Sequence, residues 1–263
     1  MMTRAALAMC ENIDWNVGRI LEKLDELELR ENTIVIYFSD NGPNSYLWNF
    51  GIKGRKGSID EGGLRAPFFI RWPLKIQPGT TIPQIAGAID LLPTLTDLTG
   101  VETSIDKLKP LDGRSLSPLL LANSGKWTPR LLFSIRRNQV SVRTQQYRLD
   151  ASGGLYDIES DPGQHMDIAD RHTELTARLR LQAKKHNAEM QAHFQANTSR
   201  PFTVGYGSST TLTARDGVGH GTIQRSSRAP NNSFFTNWTR ADDFITWDID
   251  VGKTGRYEVI VYY

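Results

Sequence analysis

Residues Thr33–Phe38 read TIVIYF, an uncharged run in which four of the six side chains are β-branched. A segment that is apolar at successive positions, instead of at every second one, has the pattern of a strand covered on both faces; such strands belong to sheets that carry helices on either side. The residues before it supply a matching layer. From Arg4 to Leu29, apolar side chains recur at Cys10, Ile13, Val17, Ile20, Leu24 and Leu27, in steps of three and four that line one stripe of a helix. Glu31-Asn32 ends that pattern. An amphipathic helix running straight into a fully apolar strand predicts an α/β layer. Cys10 lies on the stripe and reads as a core residue, because a thiol with no activating basic neighbour behaves as a small hydrophobe.

The same logic extends along the chain. Pro67–Trp72 predicts a second short strand. Ile82–Leu98 contains the helical run IDLLPTLTDLTG, with Pro93 near the first turn and Gly100 as a left-handed C-cap. Between Gly100 and Trp127 the chain is rich in Gly, Pro and Ser, which predicts loops around a short helix at Ser115–Leu121. Leu131–Ile135, Gln139–Arg143, Tyr147–Asp150 and Gly154–Tyr156 read as short antiparallel strands. Thr173–Phe194 reads as a long helix with Leu175, Leu179, His186, Met190 and Phe194 on one side. His186 and His193 have no metal-ligand spacing and read as packed or solvated side chains.

After Asn197 the composition shifts to Gly, Ser, Thr and Asn. Ile245, Trp247, Ile249 and Val251 then alternate with polar residues as in a half-buried strand, and a turn at 252–255 leads to a second strand, RYEVIVYY. Two or three strands do not close a sandwich, so an incomplete β-sandwich is expected here. The expected domains are 1–125, 126–197 and 198–263.

Charge and composition exclude several function classes. The formal net charge is +2 over 263 residues, which provides no broad basic field for nucleic acid or a membrane surface. No apolar run approaches the length that spans a bilayer. The start, MMTRAALAMCENIDW, has one Arg and an apolar stretch too short for a secretory signal, so any leader is expected upstream. A single Cys excludes an internal disulfide framework.

Candidate chemistry begins at FSDNGP, Phe38–Pro43, where Asp40 and Asn41 offer oxygen ligands suited to a hard divalent cation, calcium or magnesium. Carboxylates at the C-terminal end of a parallel strand stand where open α/β sheets bind ligands, although Asp-Asn-Gly is also good turn chemistry. Further on, Lys56 lies in a Gly-rich segment that allows close approach to an anion, and its ammonium is a compact point charge for a tetrahedral oxyanion. From these residues alone, a plain turn and a solvated lysine are the readings that come first, and a family resemblance is what changes them.

Five blocks in order, AMCENIDWNVGRILEKLDEL, ENTIVIYFSDNGP, KGSIDEGGLRAPFFIRWP, DLLPTLTDLTGV and LDGRSLSPLL, resemble the sulfatase family. The later GGLYDIESDPGQHMDIAD resembles its C-terminal subdomain, so the resemblance runs over roughly residues 3–195. It implies the C-terminal portion of an alkaline-phosphatase-like α/β fold, then an α+β subdomain, then the incomplete β-sandwich. It also implies a sulfuric ester hydrolase in which Asp40 and Asn41 are ligands of the active-site metal, calcium before magnesium. Lys56 would be the catalytic lysine that contacts the sulfate. Glu61, Gly62 and Gly63 would shape the loop that follows it, and Arg55 would contact substrate beyond the sulfate.

The family's nucleophile is a formylglycine made from a Cys/Ser-x-Pro-x-Arg segment in its N-terminal half. No such segment occurs here, and Cys10 is followed by Glu-Asn-Ile, so half a site and no turnover by this chain alone are expected. By resemblance the location is periplasmic or secreted, and the substrate a sulfated small molecule or a sulfated polysaccharide, with no nucleic-acid or membrane partner. Two alternatives stand beside this one: a phosphate or phosphonate ester hydrolase of the same superfamily, and a non-catalytic carbohydrate-binding protein.

The second alternative draws on residues 246–263, which resemble modules appended to bacterial sulfatases and glycan-degrading enzymes. There Trp238 could stack on a sugar, whereas Trp247 reads as core. Arg130, Arg136, Arg137, Arg143 and Arg148 are expected on a solvated face of their strands.

Overall fold

The computed structural model describes residues 2–47, 49–101, 111–121, 127–196, 201–227 and 233–262. Parts of the expected 100–127 loop and the last residue of RYEVIVYY lie outside the described residues. The chain divides into two units, 1–188 and 189–263.

The first unit opens with α1, Met2–Glu26, followed by β1, Val35–Phe38, and β2, Phe68–Arg71. β1 and β2 pair antiparallel, with Tyr37 opposite Phe69 and Phe38 opposite Phe68. This corrects the expectation of a parallel strand buried on both faces. Among the described residues β1 has β2 as its hydrogen-bonded neighbour, and a two-stranded ribbon cannot cover its own faces. Phe69 is accordingly 64% exposed. The stripe of α1 is only partly covered: Val17 and Leu24 are half-buried, whereas Ile20 is 59% exposed and Cys10 is exposed, not a core residue.

Between the two strands lies the short helix α2, Glu61–Leu64. Beyond β2, α3 spans Leu91–Thr99 and ends on Gly100 in the left-handed conformation (φ 68°), as the sequence predicts. Pro93 falls in its first turn, where no N–H is needed. A short helix, α4, covers Ser117–Leu120. Trp72, Ile76, Leu98, Leu116 and Leu120 form the core of this layer. Asp90, fully buried, secures it: its carboxylate accepts from the Gly87 and Arg114 amides and pairs with Arg130 at 2.7 Å.

The remainder of the unit is a four-stranded antiparallel sheet, β3 Leu132–Arg136, β4 Gln139–Arg143, β5 Tyr147–Leu149 and β6 Leu155–Asp157, ordered in sequence. The long helix α5, Thr173–Ala196, follows. Side chains alternate across a strand, so the register sorts this sheet into two faces. Val142, Leu149 and Leu155 line up on one and pack against Leu179 and Ala169. His186 of α5 stacks on Phe133, with ring centroids 4.2 Å apart. Arg143, Arg148 and Tyr156 form the matching row on the other face.

The second unit contains short strand pairs: β7 (Phe202–Val204) parallel to β12 (Ile249–Val251), β8 (Val218–His220) antiparallel to β11 (Phe244–Thr246), and β9 (Gln224–Arg225) antiparallel to β10 (Phe235–Thr236). The expected single strand through 245–251 is thus two strands with different partners, and Ile249 and Val251 are exposed. Residues 256–262 form no strand, and Val259 is 82% exposed. Asp243 fastens the loops of this unit: the hydroxyl and amide of Thr222 and the amides of Thr239 and Arg240 all donate to its carboxylate. Those donors hold it far below the usual carboxylate range. No helix among the described residues is long and apolar enough to cross a membrane.

Candidate active site

Asp40 and Asn41 leave the end of β1 in a bend in which the Ser39 hydroxyl donates to the Asn41 carbonyl. Asn41 spends its side-chain nitrogen on the Gly42 carbonyl at 2.8 Å, which leaves its side-chain oxygen available. The Asp40 carboxylate, exposed, has no hydrogen-bond or ion-pair partner among the described residues. Two hard oxygens side by side suit a calcium or magnesium ion, and they are a partial set, since calcium takes about six to eight oxygens. No group of three or more His, Cys, Asp or Glu side chains placed to hold a metal occurs among the described residues.

Lys56 is brought to this loop by its backbone. Its amide donates to the Pro43 carbonyl at 2.8 Å, and the Gly42 amide donates to the Gly63 carbonyl at 2.9 Å. Loop 53–63 and the FSDNGP loop therefore touch at two points. The glycines are needed for that approach: a Cβ on Gly42 would lie 1.8 Å from the Gly62 oxygen, and one on Gly63 would lie 2.3 Å from the Ser58 oxygen. The Lys56 side chain is exposed and unpaired among the described residues. Arg55 beside it is exposed too, with its guanidinium 5.6 Å from the Tyr46 ring centre.

The other side of loop 53–63 rests on the sheet. Glu61, 5% exposed, pairs through one oxygen with Arg148 at 2.7 Å and Arg143 at 3.1 Å. Burial pushes the Glu61 carboxyl up, but the two guanidiniums outweigh it and hold the group below the ordinary glutamate range. Ser141 and Arg148 both donate to the Ile59 carbonyl. Lys53 lies 3.4 Å from Asp150, 3.8 Å from Asp60 and 5.0 Å from the Tyr156 ring centre. The Glu61 amide donates to the side-chain oxygen of Gln164 at 3.1 Å.

These contacts correct the expectation for the arginines. Arg136 and Arg137 are exposed, whereas Arg130, Arg143 and Arg148 are buried or half-buried in ion pairs with Asp90 and Glu61. The strand pattern puts Arg143 and Arg148 opposite the apolar face, and that face would be solvated if loop 53–63 did not cover it. The local signal that could have found this is the Tyr-Arg-Leu of β5 facing Val-Ser-Val-Arg of β4, where a small Ser in mid-strand leaves room for a guanidinium.

Comparison with known proteins matches two overlapping stretches of the chain. A family model described as Sulfatase matches residues 2–101, and one described as N-sulphoglucosamine sulphohydrolase, C-terminal, matches residues 55–191. Steryl-sulfatase of Mus musculus is 35% identical over 135 residues, which is 47% of this chain and 21% of that protein. Arylsulfatase A of Bos taurus is 30% identical over 238 residues, 76% of this chain and 46% of that protein. Among solved structures, Ps i-CgsB in complex with k-i-k-neocarrahexaose superposes with a TM-score of 0.57 at 26% identity, covering 66% of this chain and 41% of its own. The chain spans less than half the length of each of these relatives. The architecture is that of the alkaline-phosphatase-like sulfatases over about two thirds of the chain. With the second family model running over more than half of its length, the chain belongs to the sulfatase family.

Proposed function

We propose that this chain supplies part of the active site of a sulfuric ester hydrolase, in which Asp40 and Asn41 are metal ligands and Lys56 contacts the sulfate. The observation that carries this reading is the hydrogen bond from the Lys56 amide to the Pro43 carbonyl, which ties the lysine's backbone to the loop of the two oxygen donors. Calcium fits the two hard oxygens, and when bound it would polarise the ester and favour an ionised nucleophile. The Lys56 ammonium offsets charge on the sulfuryl oxygens. Arg55 extends the cationic surface toward the rest of the substrate. A sulfated glycan is the favoured substrate class, supported by the likeness to a protein crystallised with a neocarrahexaose. A periplasmic or secreted location goes with that substrate.

On this reading the nucleophile lies in a Cys/Ser-x-Pro-x-Arg segment, which does not occur among these residues. Two assays test the proposal. The 263-residue chain should not hydrolyse an aryl sulfate at any calcium concentration; metal-dependent turnover would place a nucleophile within it and overturn the half-site reading. A protein that joins this chain to a Cys/Ser-x-Pro-x-Arg segment should prefer the aryl sulfate to the matched aryl phosphate. In that protein Lys56→Ala should lower kcat/KM by about 10²-fold, whereas Arg55→Ala should mainly raise KM. A preference for phosphate would favour the phosphate or phosphonate ester reading.

A further inference from the structure

The row of Arg143 and Arg148 places two guanidiniums directly opposite each other on adjacent strands, an arrangement that repels unless a counter-charge is shared between them. The shared counter-charge is Glu61, whose one carboxylate oxygen takes Arg148 through two nitrogens, at 2.7 and 3.1 Å, and Arg143 at 3.1 Å. Arg148 is 4% exposed and Glu61 5%, so these contacts act where water does not screen them. Glu61 lies five residues after Lys56, and the backbone between them is fixed to the sheet at Ile59 by Ser141 and Arg148.

From Glu61 the chain has no slack toward the candidate site. The Gly62 amide donates to the Lys53 carbonyl at 2.7 Å, and Gly63 accepts from Gly42, the neighbour of Asn41. Added Cβ atoms on Gly42, Gly62 and Gly63 would each meet backbone within 3 Å, so these segments lie backbone to backbone and move together.

We propose that Glu61, held by Arg143 and Arg148, is a positioning residue that sets Lys56 against Asp40 and Asn41, the sheet of residues 132–157 serving as the rigid base for the sulfate-contacting loop. The proposal rests on the half-site reading for its catalytic consequence, but its structural part stands apart from that reading. Glu61 touches no substrate. Its effect reaches Lys56 through the loop backbone, and a small misplacement of a charged group lowers the rate without abolishing binding.

The first test uses the 263-residue chain and amide hydrogen exchange. Glu61→Gln should raise exchange at the Lys56 and Gly42 amides by about tenfold or more, while Leu155 and Leu179 keep their protection. Unchanged protection at Lys56 and Gly42 overturns the proposal. Should Glu61→Gln fail to unfold cooperatively, Arg143→Lys, which keeps the charge and the Arg148 contacts, should show the same pattern at smaller amplitude, and uniform exchange across the loop and the sheet would again overturn it.

The second test is a double-mutant cycle on aryl-sulfate turnover, in the protein that also carries the Cys/Ser-x-Pro-x-Arg segment. Glu61→Gln should lower kcat by about 10²-fold with little change in KM, and by about twofold or less in a Lys56→Ala background. Equal losses in both backgrounds would show that Glu61 does not act through Lys56, and would overturn the proposal. A Lys56→Ala variant with full activity would sink the half-site reading instead, whatever the exchange data show.

Discussion

The β1–β2 ribbon and the β3–β6 sheet are both built from short strands, the ribbon's almost wholly β-branched and aromatic and the sheet's mixing such residues with Ser and Arg, and they end in different environments. The sheet is covered twice: α5 seals Val142, Leu149 and Leu155 on one face, and loop 53–63 seals Arg143, Arg148 and Tyr156 on the other. The ribbon presents Tyr37, Phe38, Phe68 and Phe69 outward. An apolar run records what a strand requires, while burial depends on which layers reach it. Cover also need not be apolar. Arg148 is as buried as Leu149 beside it because a carboxylate from a distant loop meets it.

The largest expected effect lies in the sheet. Leu149→Ala removes a side chain 2% exposed and should lower the stability measured by urea unfolding by about 2–5 kcal/mol. A loss under about 1 kcal/mol would mean that the sheet is as loosely covered as the ribbon.

Acid titration should give a smaller effect with a definite sign. The Glu61 carboxyl is held below its ordinary value in the folded chain, so the stability it contributes is fully present above about pH 4.3 and is lost as pH falls through the lowered value. The thermal midpoint should therefore drop on the acid side of that range, and Glu61→Gln should flatten the drop. A Glu61→Gln profile parallel to that of the unmodified chain would remove this ion cluster from the account.

The smallest effect belongs to the ribbon. Phe69→Ser should change stability by about 0.5 kcal/mol or less, since most of this ring already meets solvent. A loss matching that of Leu149→Ala would show that the ribbon is covered in solution and would erase the contrast between the two regions.

The sequence conveys local form better than it conveys cover. Gln139–Arg143 is read to the residue, and the helix start at Thr173 and the Gly100 cap follow from short-range rules of alternation, periodicity and left-handed glycine. What could not be read is set by contacts between distant segments. Arg143 and Arg148 look solvent-facing until residue 61 arrives from 82 and 87 positions earlier. Likewise the alternation at 245–251 gives no sign that its two ends pair with different strands, β8 and β7. At the candidate site, Asp40, Asn41 and Lys56 became a group through the family resemblance. The residues themselves left a plain turn and a solvated lysine open, because nothing local says that two loops 15 residues apart will share hydrogen bonds.

If Lys56 and the Asp40–Asn41 pair serve one sulfate, a crystal structure of this chain with calcium and sulfate bound will show both against it. Two metal–oxygen bonds, one sulfate edge and one hydrogen bond together limit the separation of the Asp40 carboxylate and the Lys56 ammonium to about 10 Å. The expected separation lies within that limit, with the sulfate between the two groups. A Lys56 ammonium directed to the far side of the ribbon, with no rotamer able to bring it within about 10 Å of Asp40, would contradict it.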